Sequence, residues 1–531
     1  MSDTLTTESS LPDQAPTRPL FGPLFAPLLQ VLFHFLFTLT VYLLSPNHQM
    51  SDSQYSMLLS QSLVEHQSFR LDDFIPQQEP QWRDDYCWNG SMYQIELVEF
   101  SRYYHFPPGS SILSVPYVAV MSLFGIAPAN PNRTYNRNGE MMIQASLAAL
   151  LMAALSGVLY LTARLLLPLR WSVIIALGAA FGTQMYSSAS RGMWSDTWGI
   201  LLLGIVVWLL LHGELGGKRQ HPVLLATLLA WMYFVRPTYA VDILCISAYI
   251  GLFHRKSLFP LVLTGLLWLA LFVGWSWLHF HSLLPSYYHP GRLTYSAFWT
   301  AVAGNLISPA RGLLVYCPVL LFVAFLLLRY CRHLAHRRLL LLVLAVIVAQ
   351  LVMLGGFEHW WGGHSYGPRL TTGLMPWLVV LAILALRAML DAAPPRVERL
   401  VLRTVGALLL ILGMAIHTVG ATSRAALHWN LYPTEIDQHP ERLWDWRHPP
   451  FLAPLQRSYS TVTRNVARTA SAEILVTSTA PAAQSFAMPI IGCISGCRWS
   501  ISASSAALNS SAHSTIPMTI ANAAHHTAAG R

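Results

Sequence analysis

One carboxylate and a few arginines are the residues best placed to do chemistry in this chain. Asp52 follows the first long apolar run, in Ser51-Asp52-Ser53-Gln54-Tyr55. Ser51 with Gln54 reads as a capping box, and Tyr55, Leu58, Leu59, Leu63 and Phe69 then make an apolar stripe. That spacing predicts an amphipathic helix lying along a membrane surface, with Asp52 in its first turn. An acid there either offsets the helix dipole or takes a proton from a hydroxyl group, and spacing alone leaves both open. Four arginines stand in turn-forming surroundings: Arg236 before Pro237, Arg292 after Pro290-Gly291, Arg311 in Ser308-Pro309-Ala310-Arg311-Gly312, and Arg369 after Gly367-Pro368. The planar fork of arginine matches phosphate oxygens, and helix N-termini add N–H donors. For any one of these arginines the alternative is snorkelling to lipid headgroups.

Further candidates surround them. Tyr104 and His105 precede Phe106-Pro107-Pro108-Gly109, which breaks the chain at the mouth of an apolar segment. Trp360, Trp361, His364 and Tyr366 flank Gly362-Gly363. Flat rings beside flexible backbone suit packing on a sugar face or an isoprenoid chain; the alternative is an interfacial aromatic belt. Asp196 reads as a helix cap. No metal site is expected, because Glu358, His359 and His364 lack the HExxH spacing, and Cys493 and Cys497 have no companion ligands. There is no Walker loop, strand-linked GxGxxG or GxSxG elbow, and no cofactor is implied.

The elements that must position these residues are membrane spans. Hydrophobic residues make up 54% of the 531, charged residues 11%, and mean hydropathy is +0.44. Soluble domains carry about 25% charged residues. Runs near 20 apolar residues span a hydrocarbon core roughly 30 Å thick, and in lipid they must be helices. The expected fold is an all-α polytopic membrane protein. It has about eleven crossings, near 25–44, 141–164, 172–190, 194–213, 222–235, 238–253, 258–279, 312–328, 339–356, 371–387 and 401–420, with the amphipathic helix in a long first loop, 45–108. Residues 110–126, interrupted by Pro116, are read as not crossing, and 222–253 is split at Arg236-Pro237. This assignment puts Arg164, Arg170, Lys218, Arg219, Arg255, Lys256 and the run from Arg329 to Arg338 on one side, as cytoplasmic loops require. The net charge of +9 is therefore topological and implies no nucleic acid.

The motif-rich loops then share the outer face. Residues 1–24 are a cytoplasmic segment, 25–420 the membrane domain, 421–464 an external aromatic segment, and 465–531 a disordered tail poor in acids. The N-terminus is then expected to be cytoplasmic and the C-terminus external.

Four motifs together resemble the C-type glycosyltransferase superfamily, in particular its bacterial protein O-mannosyltransferase and aminoarabinose transferase-like members, over about residues 25–420. They are Asp52 with Tyr55 and Ser62-Leu63-Val64-Glu65-His66; Tyr104 to Gly109; Ser308 to Leu313; and Trp360 to Arg369. The resemblance implies a polyprenyl-phosphate sugar donor, transfer outside the cytoplasmic membrane to a glycan, lipid or protein acceptor, and Asp52 as base. It also implies donor-phosphate contacts from Arg311, Arg369, Arg236 and His105, and substrate contacts from Tyr55, Tyr104, Trp360, Trp361, His364 and Tyr366. Those relatives often show Asp-Glu where this chain has Asp52-Ser53, and a lysine where it has His105-Phe106. The alternatives are a lipid or solute transporter and a non-catalytic membrane protein of the same fold.

Overall fold

A computed structural model describes residues 25–75, 93–216 and 220–456. The segments 1–24 and 465–531, with Cys493 and Cys497, lie outside the described residues. So does 76–92, with Glu79, Arg83, Asp84 and Asp85.

The chain is mostly helical. Six of the expected crossings are helices long and apolar enough to span a membrane: α4 (Arg137–Arg164), α6 (Ser195–Leu215), α9 (Arg255–Phe280), α13 (Arg337–Leu354), the stretch Arg369–Ala392 and α15 (Arg396–Thr422). The other five positions hold shorter apolar helices: α1 (Phe25–Leu44), α5 (Leu169–Phe181), α7 (Pro222–Val235), α8 (Ala240–Phe253) and α12 (Val319–Arg329). Phe259, Leu263, Leu266 and Leu267 of α9 and Leu400, Leu408 and Ile411 of α15 are exposed. Rows of apolar side chains turned outward on the same helices need an apolar solvent, and lipid supplies it. This is a multi-pass membrane protein.

Two polar pairs fix how the helices run. Arg236, after α7, pairs with Asp196 in the first turn of α6, while His254, after α8, lies 2.6 Å from Glu214 at the end of α6. The two ends of α6, 21 residues or about 31 Å apart, therefore mark the level where α7 ends and the level where α8 ends. The chain turns back at Arg236-Pro237, as the charge pattern required. The segment around α3 (Gly109–Leu123) also returns to its own side. Ser60 Oγ donates to Ser111 O at its start, and Ala129 N donates to Gln61 after its end, so both flanks meet the short helix α2 (Ser56–Glu65).

Several expectations are corrected. The fold is not purely α: an antiparallel hairpin, β1 (Ile95–Val98) with β2 (Ser101–Tyr104), stands in the first loop. α2 begins at Ser56, and Asp52 lies in the turn before it. Nor does α2 lie on a surface, since Ser56 to Ser62 are all buried. Its serines and glutamine find internal partners, so the polar side needs no water. The expected run 172–190 ends as an α-helix at Phe181 and continues as a π-turn, Met185–Ala189. The run 312–328 breaks at Cys317-Pro318 into α11 (Leu313–Tyr316) and α12, because proline brings no N–H.

Candidate functional site

The turn that carries Asp52 is held from α4. Glu140, buried in the first turn of α4, accepts from Tyr55 N at 3.0 Å and Met57 N at 2.9 Å. These N–H groups are orphans of the α2 N-terminus, so the cap comes from 85 residues away rather than from Ser51. Gln144, one turn on, donates to Ser53 O at 2.8 Å and accepts from Ser53 Oγ at 2.7 Å. Tyr55 takes the left-handed conformation (φ 71°), which costs about 1–2 kcal/mol and needs such bracing. Its ring is buried against Tyr135, so it braces the turn.

Asp52 meets Arg369 there. Arg369 Nη2 donates to Asp52 Oδ2 at 2.5 Å across 317 positions of sequence. Tyr93 OH donates to Asp52 Oδ1 at 2.9 Å, and Tyr104 OH donates to Asp52 O at 2.7 Å. Burial, and then the neighbouring Asp52 charge, raise the Tyr93 phenol well above its usual range, which keeps it a proton donor to Asp52. The Arg369 guanidinium lies 3.6 Å from the Trp194 ring centroid, a cation–π contact, and Nη1 donates to Gly362 O at 3.0 Å. Its Nε is buried with no hydrogen-bond partner among the described residues. The Asp52 side chain remains 30% exposed, so its free lone pairs face solvent.

A second group adjoins the first through the hairpin. His105 Nδ1 lies 3.3 Å from Glu96 Oε2, and Ser286 Oγ donates to the same oxygen at 2.8 Å. Burial alone would raise the Glu96 carboxyl. The hydrogen bonds from His105 and Ser286 outweigh it and hold the group below its ordinary value. Phe106 contacts Tyr93, Tyr104 and Tyr287, and Arg292 lies over Tyr287 at 4.2 Å. Arg236 is buried in its ion pair with Asp196, and Tyr287 is within its electrostatic reach.

The remaining candidates go elsewhere. Arg311 is 2% exposed; it donates to the carbonyls of Trp361, Ala310 and Gly363 and to Asn430 Oδ1 at 2.6–3.1 Å. Burial lowers its pKa to about 10, so it stays charged at neutral pH, but its donors are spent on structure. Trp360 packs on Gly304, where an added Cβ would lie 2.2 Å from its ring. Tyr366 is fully buried, packs on Gly420 and donates to Ile416 O. Trp361 Nε1 donates to Asp437 at 2.7 Å, and His364 lies 3.1 Å from the same residue. The glycines serve the turn: Gly362, Gly363 and Gly367 have φ near +65° to +68°, open to glycine at little cost. Thus Asp52, Arg369, Tyr104 and His105 come together, with Arg236 adjoining, whereas Arg311, Trp360 and Tyr366 build the core behind them.

The sequence reading missed Tyr93, Trp194, Glu96, Ser286, Tyr287 and the brace Glu140. Only for Glu140 was there a usable signal, an acid at the start of an otherwise apolar span. An apolar cavity of about 510 Å³ lies between α5, α12, α14 (Met375–Ala392) and α15, lined by Gly178, Val323, Leu378, Leu402 and Leu410. Met375, which follows the turn begun by Arg369, and Thr183 also line it, and Gln184 bonds Thr371 in that turn.

No family model and no curated protein matches this chain. One solved structure that it matches is the Archaeoglobus fulgidus oligosaccharyltransferase tethered with an acceptor peptide containing the NVT sequon via a disulfide bond. Identity is 13% and the TM-score 0.46; the match covers 80% of this chain and 59% of that one, less than two thirds of its length. A likeness that distant assigns neither a family nor an activity.

Proposed function

We propose that this chain is a membrane glycosyltransferase of the C type. In this reading it moves a sugar from a polyprenyl-phosphate donor to an acceptor at the outer face of the cytoplasmic membrane. The Asp52–Arg369 pair carries the reading: a part-exposed carboxylate beside a guanidinium with a buried, unused N–H. Asp52 orients the acceptor hydroxyl and takes its proton as the sugar–oxygen bond forms. Arg369 faces the phosphate that departs with the lipid, where negative charge grows, and Trp194 beneath holds its plane. The neighbouring His105, Glu96 and Ser286 offer polar contacts for sugar hydroxyls. The apolar cavity, which reaches Met375 just after the Arg369 turn, has the chemistry to take an isoprenoid chain.

The test is Asp52→Asn, assayed for transfer from membrane lipid donors. The expected result is a loss of about 10²–10⁴-fold, the usual worth of a positioned base, with normal expression and an unchanged melting profile. Wild-type turnover in that variant would remove Asp52 from the chemistry. A transport reading has one observation in its favour: Asp242, buried in α8, accepts from Trp377 Nε1 at 2.7 Å and Gln350 Nε2 at 2.5 Å. An ionisable group inside a span is a transport hallmark, but here both carboxylate oxygens are held by protein donors.

A further inference from the structure

We propose a zinc-class divalent metal site at His364, Glu435 and Asp437, clamping the loop that carries Arg369 to the segment after α15. His364 Nε2 lies 3.1 Å from Asp437 Oδ2 and 3.4 Å from Glu435 Oε1. One ligand atom from each of the three residues falls within 4.8 Å of the others. Zinc bonds of about 2.0–2.2 Å give tetrahedral ligand-to-ligand edges of about 3.3–3.6 Å; the 3.4 Å separation falls in that range and the 3.1 Å one just below it.

Ordinary ion pairing accounts less well for the details. Asp437 Oδ2 is buried and makes no aligned hydrogen bond, though an imidazole nitrogen is 3.1 Å away. Each carboxylate also has its other oxygen held: Trp361 Nε1 donates to Asp437 Oδ1 at 2.7 Å, and Gln438 Nε2 donates to Glu435 Oε2 at 2.9 Å. Outer donors that turn one oxygen of each carboxylate inward are the second shell of a metal site. One imidazole with two carboxylates suits zinc better than magnesium, which takes oxygen ligands almost alone. His364 and Glu435 are about one-third exposed, which gives an ion a way in and leaves a coordination position for water.

The consequence is mechanical. His364 lies between Gly363, whose carbonyl takes Arg311, and Arg369, whose Nη1 returns to Gly362 O. A metal at His364 ties this whole turn to Glu435 and Asp437, and so holds Arg369 without touching it. The site stands apart from the transfer reading: metal-free protein that still transfers sugar would overturn only the clamp.

The experiment uses the full-length protein in detergent, stripped with EDTA, dialysed and titrated with zinc chloride by calorimetry, with metal content counted by mass spectrometry. The expected result is one zinc per chain and a raised melting temperature, with affinity falling at least 10-fold in Asp437→Asn. Glu435→Gln, at a more exposed position, gives the same readout where the aspartate variant folds poorly. Substoichiometric zinc in the wild type, equal zinc affinity in both variants, or a preference for magnesium over zinc overturns the proposal.

Discussion

Arg311 and Arg369 look alike in sequence, each following a proline in a turn, yet their surroundings give them different work. Each guanidinium hydrogen bond of Arg311 ends on a carbonyl or an amide oxygen, and the side chain is sealed from solvent. Arg369 instead faces Asp52, which is open to solvent, and keeps one N–H unused. Replacement by lysine separates the two roles, since lysine keeps the charge but loses the planar fork. Arg369→Lys should cost about 10–100-fold in transfer rate with normal protein yield, because one charge-assisted hydrogen bond at about 1.5–3 kcal/mol is lost. Arg311→Lys should instead cut the yield of folded protein and lower the melting temperature, because buried acceptors are left unpaired. Measuring rate and melting on both variants checks the assignment; a rate loss at Arg311 with unchanged melting would move the phosphate contact back to it.

At the scale of elements, the site depends on α4 gripping the start of α2. Glu140 holds two N–H groups that would otherwise be buried orphans, one of them that of the left-handed Tyr55, three residues after Asp52. Glu140→Ala should lower stability by about 2–6 kcal/mol, since two buried N–H groups are left without an acceptor at about 1–3 kcal/mol each. Glu140→Gln, which keeps one acceptor, should cost less. Thermal melts in detergent check this, and an unchanged melting temperature in Glu140→Ala would mean that α2 is held by packing alone. The same contact shows why parts of the site were legible in sequence and parts were not. Asp52 and Arg369 stood out because a charge between apolar runs is costly without a purpose. The local capping box misled, because a distant carboxylate supplies the cap that Ser51 and Gln54 promised. Trp360 and Tyr366 misled for a related reason: an aromatic ring beside glycines reads the same whether it meets a sugar or fills the space over Gly304 and Gly420. Tyr93, Glu96 and Ser286 gave no signal, since their roles exist only once the hairpin folds back on the turn and meets residues nearly two hundred positions on.

At the scale of the whole molecule, polarity is sorted to one end of the bundle. The turn at Asp52, the hairpin, the loop of Ser286 to Arg292, the Arg369 turn and the segment after α15 are linked by direct contacts. Basic residues gather at the other end, where Arg329 meets Glu398 and Arg387 reaches Leu166 O at 3.2 Å. Loops rich in Lys and Arg face the cytoplasm, so the proposed transfer reading expects the Asp52 end to face out. The two ends are about one bilayer apart, because α6 and α13 run from one to the other as helices of 21 and 18 residues. Single cysteines at positions 99, 292 and 441, in a background freed of the six native cysteines, should react with a membrane-impermeant maleimide in intact cells. Cysteines at 256, 332 and 396 should react only after permeabilisation. All six positions are exposed, so failure to label would report sidedness rather than burial. Labelling of 99 and 441 on opposite sides would place the first loop and the last segment across the bilayer from each other. The carboxylate and the guanidinium could not then share a site, however well their local geometry fits.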